Sequence, residues 1–145
     1  MDTLVKLATI LSPLISASVA IWAIRVATKT IKENKEIAKK TVADTAYQTY
    51  LQLAMEYPEF AKGYTADTRI DIDPNYGKYV WFVARMMFCF EQIVEVEGNI
   101  KDSTWYRTLI KHIGFHLKHF DKSNAVEEEL YIQPLLDLIV LSRQD

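Results

Sequence analysis

The sequence predicts an all-α protein, and three features carry that expectation. Apolar residues recur at three- and four-residue spacings over most of the chain. Glycine and proline are scarce, at four each. No segment alternates apolar and polar residues as a half-buried strand does. Half of the 145 residues are hydrophobic and a quarter are charged, a composition that can build a core and is not that of a disordered chain. The expected architecture is an N-terminal transmembrane helix continuing into a stalk, followed by a small antiparallel helical bundle. By residue number the parts are an anchor over 1–27, a polar helical stalk over 28–41 and a cytoplasmic bundle over 42–145.

The anchor rests on LATILSPLISASVAIWAI, Leu7 to Ile24, which is uncharged and bracketed by Lys6 and Arg25. Its eighteen residues reach about 27 Å as a helix, close to the roughly 30 Å hydrocarbon core. Pro13 is tolerated inside a membrane helix. Ser18-Val19-Ala20 has the small-x-small pattern of a leader cleavage site. However, the region before the run holds one lysine, and the run continues past Ala20, so a permanent anchor is the expectation. Ala8, Ser12, Ser16 and Ala20 recur every four residues, a face on which helices pack closely in lipid.

Charge divides the chain. Residues 1–41 carry +4 and residues 42–145 carry −6. Arg25, Lys29, Lys32, Lys35, Lys39 and Lys40 crowd the C-terminal flank of the apolar run. The positive-inside rule then puts a short N-terminus outside and the bundle in the cytoplasm. The basic stalk suits anionic headgroups, whereas the acidic domain repels phosphate, so no nucleic-acid partner is expected. A lone cysteine, Cys89, permits no internal disulfide.

In the bundle, Val42, Ala46, Tyr50, Leu53, Tyr57 and Phe60 mark the inward stripe of a helix closed by Pro58 and Gly63. A loop over 63–77 leads, through Asp73 as N-cap and Pro74 in the first turn, to a helix over 75–97. Its inward face is Tyr79, Val83, Met86, Met87, Phe90, Ile93 and Val94, and Gly98 stands where a C-cap glycine belongs. A third helix is expected from Ser103 to Phe120, with Trp105, Leu109, Ile113, Leu117 and Phe120 inward. A last helix opens at Ser123 or Asn124 and bends at Pro134.

Four features are candidates for chemistry or recognition. His112, His116 and His119 share one helix face, a spacing that suits either histidines satisfied at the edge of a core or a metal site. Glu91, flanked by aromatics, is expected to form a structural ion pair with Arg85 or Arg107. Trp81, Arg85 and Phe88 lie opposite the core face of their helix, against a neighbouring helix or a partner. PLLDLIVL, residues 134–141, is apolar almost all round and adds Leu136 and Val140 to a candidate partner surface. There is no glycine-rich phosphate loop, nucleophile elbow, Cys-x-x-Cys or paired-carboxylate pattern, so no catalytic residues and no cofactor are expected.

The order of an apolar N-terminal run, YLQLAMEYPEFAKG (50–63), WFVARMMFCFEQIVEVEGNI (81–100) and Trp105 resembles small single-pass bacterial membrane proteins catalogued as a domain of unknown function. That resemblance implies a single-pass bacterial or phage protein with a helical cytoplasmic domain at the inner membrane, and it transfers no catalytic residue. The expected function is a membrane-anchored interaction module, an accessory or scaffolding subunit whose partners are other membrane-protein subunits or further copies of itself. The alternatives are a homo-oligomeric effector that perturbs the bilayer and a histidine-based metal protein.

Overall fold

The computed structural model describes residues 2–64 and 73–144, with side chains from Ser16 onward in the first range. Helix α1 is Asp2–Glu56, α2 is Tyr76–Glu97, α3 is Trp105–Gly114, α4 is Leu117–Ser123 and α5 is Gln133–Leu141. A single 3-10 turn, Ile100–Asp102, joins α2 to α3, and the described residues contain no strand. The all-α expectation holds. The chain divides into two compact units, Met1–Ala38 and Lys39–Asp145.

The first unit is helical throughout its described length, as its good helix formers dictate. Lys29 and Glu33 approach to 3.7 Å at i,i+4, an exposed pair of small energetic weight. Among the described residues no helix is long and apolar enough to cross a membrane. Residues 7–15, half of the expected anchor, lie outside the described side chains, as do Ala8 and Ser12 of its small-residue face. Ser16 and Ala20 are exposed.

In the second unit, α1 ends at Glu56 because Pro58 steers the residue before it out of the helical region. The Tyr57 amide still donates to the Leu53 carbonyl at 3.0 Å, and a turn carries Phe60 back into the core. Ala43, Ala46, Tyr50, Leu53 and Phe60 are buried, but Val42, expected at the head of this stripe, is 40 % exposed. Helix α2 is central, burying Phe82 and Cys89 as well as the expected face. Gly98 closes it at φ +73, its amide donating to the Val94 carbonyl at 3.1 Å. At its start, Asp73 does not cap the helix directly. Its Oδ1 accepts from the Asn75 amide at 2.7 Å, an Asx turn one step before the first helical residue.

Two expected elements differ from the structure. The helix from Ser103 to Phe120 is broken at Phe115–His116 into α3 and α4. Gly114 weakens the helix at that point, and the backbone of Gly63 lies so close to the Phe115 carbonyl that a Cβ there would stand 1.8 Å from its oxygen. Downstream, the segment 124–132 is irregular: Asn124 ends α4 in the left-handed region at φ 51, and Glu129 repeats that conformation. Pro134 therefore starts a helix rather than bending one, because its missing N–H is harmless in a first turn. Helix α5 packs against α2 and α3, with Leu135, Leu136, Leu138 and Ile139 buried.

Candidate functional site

The histidine face is bound to tyrosines. Tyr47 and Tyr50 of α1 place their hydroxyls 3.2 Å from Nε2 and 2.9 Å from Nδ1 of His112. Tyr79 and Tyr76 of α2 reach Nδ1 of His116 at 2.7 Å and Nδ1 of His119 at 3.1 Å. A neutral imidazole has one donor and one acceptor nitrogen, so His112 donates to one tyrosine oxygen and accepts from the other hydroxyl. The break between α3 and α4 matters here, because it sets the fully buried His116 ring beside Tyr79 and Phe82.

Burial decides the electrostatics. It pushes His116 down to about 3, with His119 and His112 adding like-charge repulsion. His119 falls to about 4 through burial and then Lys122. His112 is lowered by burial and then by Lys111. Tyr50 and Tyr79 are raised, first by burial and then by neighbouring tyrosines. The histidines are thus held neutral at pH 7 within a hydrogen-bonded core.

These contacts also bear on the metal candidates. Among the described residues no three His, Cys, Asp or Glu side chains are grouped to hold a metal ion. His112 has both ring nitrogens engaged by tyrosine, and His116 and His119 each have one. The Nε2 of His116 is buried without a hydrogen-bond partner among the described residues. The sequence reading missed the tyrosines. Their signal is two Tyr-x-x-Tyr pairs, Tyr47/Tyr50 and Tyr76/Tyr79, whose i,i+3 spacing puts both hydroxyls on one helix side.

The cost of breaking the layer is a direct test. Tyr79→Phe removes the hydroxyl from a fully buried ring pair and should lower stability by about 1–3 kcal/mol in urea denaturation. Tyr47→Phe, at a half-exposed position with a longer bond, should cost under about 1 kcal/mol. Equal losses would mean that burial does not set the strength of these contacts.

Among the described residues Glu91 lacks the expected ion pair. Neither Arg85 nor Arg107 pairs with it among the described residues. The half-buried carboxylate instead raises Tyr131, adding to the larger effect of burial. Both arginines are exposed, whereas Glu91 is half-buried.

The second candidate site lies along the seam of α1 and α2. Trp81 is 73 % exposed and Phe88 is 62 % exposed, with Arg85 between them at i,i+4,i+7. Two hollows flank Arg85. One, of about 290 Å³, is walled by Tyr57, Lys78 and Trp81, and the other, of about 230 Å³, by Thr45, Thr49 and Phe88. They share Leu53 as floor. Among the described residues Arg85 and Lys78 have no ion-pair partner. No described helix covers Trp81 and Phe88. On α5, Leu136 is 5 % exposed and belongs to the core, because it faces inward with Leu135 and Leu138, whereas Val140 is 43 % exposed.

No family model, no curated protein and no solved structure matches this chain.

Proposed function

We propose that the protein is a membrane-anchored interaction module whose helical domain docks a partner subunit across Trp81, Arg85 and Phe88. The observation that carries the reading is the exposure of Trp81 and Phe88, two large aromatics flanking an arginine, at 73 % and 62 %. Tryptophan, tyrosine and arginine dominate the energetics of protein interfaces, and leaving two such rings in water is unfavourable without a partner. The anchor is the reading of the uncharged run Leu7 to Ile24 and its basic flank, which put the domain on the cytoplasmic side. The metal reading has less support, because most of the ring nitrogens it needs are engaged by tyrosines.

The test is site-specific photocrosslinking of the full chain in its own membrane, with the reactive group at position 81 or, as a control, at the exposed Glu97. A defined membrane-protein adduct is expected from position 81 and not from position 97. The double variant Trp81→Ala, Phe88→Ala should lower co-purification of that protein by about tenfold or more. Its melting temperature should stay within a few degrees of the parent, because both side chains are mostly exposed. Adducts of equal yield from both positions, or undiminished co-purification by the double variant, would remove the basis for this docking face.

A further inference from the structure

The −6 charge of residues 42–145 is unevenly spread. Residues 105–123, which form α3 and α4, hold Arg107, Lys111, Lys118 and Lys122 against Asp121 alone, and Asp121 pairs with Arg143 at 2.7 Å. The repulsion of phosphate expected from the domain as a whole therefore does not apply here. On this face a hollow of about 680 Å³ opens, walled by Tyr106, Arg107, Ile110, Lys111, Phe115 and Leu117. Among the described residues no carboxylate lines it. On an unbroken helix Phe115 and Leu117, two positions apart, would point in nearly opposite directions. The break at Phe115–His116 lets both line the same hollow. Gly114 continues the four-residue row of Tyr106 and Ile110 without a side chain, and a Cβ there would meet nothing within 4 Å.

Arg107 and Lys111 stand at i,i+4 on α3, both exposed, and neither has an ion-pair partner among the described residues. Like charges at that spacing repel, and an anion bound to both turns the repulsion into attraction. Ser142 also lines the hollow, but its hydroxyl already donates to the Ile139 carbonyl at 2.8 Å. We infer that this hollow binds a phosphate group carrying an apolar body, with the phosphate on Arg107 and Lys111 and the body against Ile110, Phe115 and Leu117. The guanidinium fork matches the geometry of phosphate oxygens, and the ammonium adds a second charge-assisted donor. The volume falls within the roughly 300–1,000 Å³ of small-molecule sites. An acidic phospholipid and a soluble phosphate ester share this chemistry. The inference stands independently of the docking face on α2 and of whether residues 7–24 lie in a bilayer.

Isothermal titration calorimetry of the full chain in nonionic detergent tests it, with dihexanoyl phosphatidic acid, phenyl phosphate and inorganic phosphate as probes. At least one of the two esters should bind saturably and about tenfold or more tighter than inorganic phosphate, because only an ester buries apolar surface in the hollow. A preference for phosphatidic acid makes the ligand a lipid, and a preference for phenyl phosphate makes it a soluble ester. Arg107→Gln combined with Lys111→Gln should weaken ester binding about tenfold or more. Gly114→Leu, which fills the hollow and keeps both cations, should weaken it comparably. Both cations are exposed and a side chain at position 114 has open space, so neither variant threatens the fold. Inorganic phosphate that binds as tightly as both esters overturns the inference. So does the lack of saturable binding by either ester, or an affinity that is unchanged in either variant.

Discussion

Gly63→Ala should destabilise the domain by about 3 kcal/mol or more, the largest loss expected from any single methyl group here. A Cβ at this position would lie 1.8 Å from the Phe115 carbonyl oxygen and 2.7 Å from its carbon. Both atoms are backbone, so no side chain can rotate away, and relief requires parting the turn after α1 from the corner between α3 and α4. Gly63 also has φ +65, where an L-residue is strained by roughly 1–2 kcal/mol before any clash. Two other glycines provide the comparison. Gly98 has φ +73 but open space around its Cβ position, so Gly98→Ala should cost only the strain, about 1–2 kcal/mol. Gly77 lies in α2 with open space and no positive φ, so Gly77→Ala should be neutral or stabilising by up to about 1 kcal/mol. Urea denaturation of the three variants checks the order. A Gly63→Ala protein no weaker than Gly98→Ala would show that the close approach to Phe115 is not maintained.

The second large effect is acid sensitivity. His116 and His119 have folded-state values of about 3 and about 4, below the ordinary histidine value of 6.5. The unfolded chain therefore takes up their protons first as pH falls. Stability from these two groups is fully present above about pH 6.5 and is lost as pH falls toward 4 and then 3. Within that window each contributes a slope of about 1.4 kcal/mol per pH unit, or about 3 kcal/mol together. Between pH 6.5 and 4.5 the two groups together remove about 5–6 kcal/mol, which brings acid unfolding to about pH 4–5 where the total stability is at the low end of roughly 5–15 kcal/mol. His112 is shifted in the same direction and adds to the effect. Asp73, lowered by the Tyr64 hydroxyl and the Asn75 amide, loses its smaller contribution only below the ordinary carboxylate value. The check is the urea midpoint measured from pH 7.5 to 4.5 for the parent and His116→Leu. The variant starts less stable, because Tyr79 loses its partner, but its slope should be shallower by about one proton. Parallel slopes would mean that His116 does not remain neutral in the fold.

Much of the helical framework was legible in the sequence. The stripe containing Ala46, Tyr50, Leu53 and Phe60, the central helix with its glycine cap and the stop before Pro58 all follow from local periodicity and backbone sterics. The features that escaped depend on approach between segments distant in sequence. The break at Phe115 sits beside Gly63, about fifty residues earlier, and no periodicity over 103–120 signals it. Leu136 and Val140 share an apolar run with no pattern strong enough to separate them, and only packing against α2 and α3 buries one and leaves the other open.

By itself the sequence determined the all-α class, the two helical stripes around Tyr50 and Phe90 and the capping glycine at 98. It determined these because each depends on residues within a turn or two of one another. The tertiary structure alone decided that the break at His116 divides His112, His116 and His119 between two helices and what they bind, that among the described residues Glu91 has no arginine partner, and that Trp81 and Phe88 remain uncovered among the described helices. Each of these is a meeting, or a failure to meet, between elements far apart in the chain. Burial and hydrogen bonding are properties of the assembled core, so no local pattern specifies them.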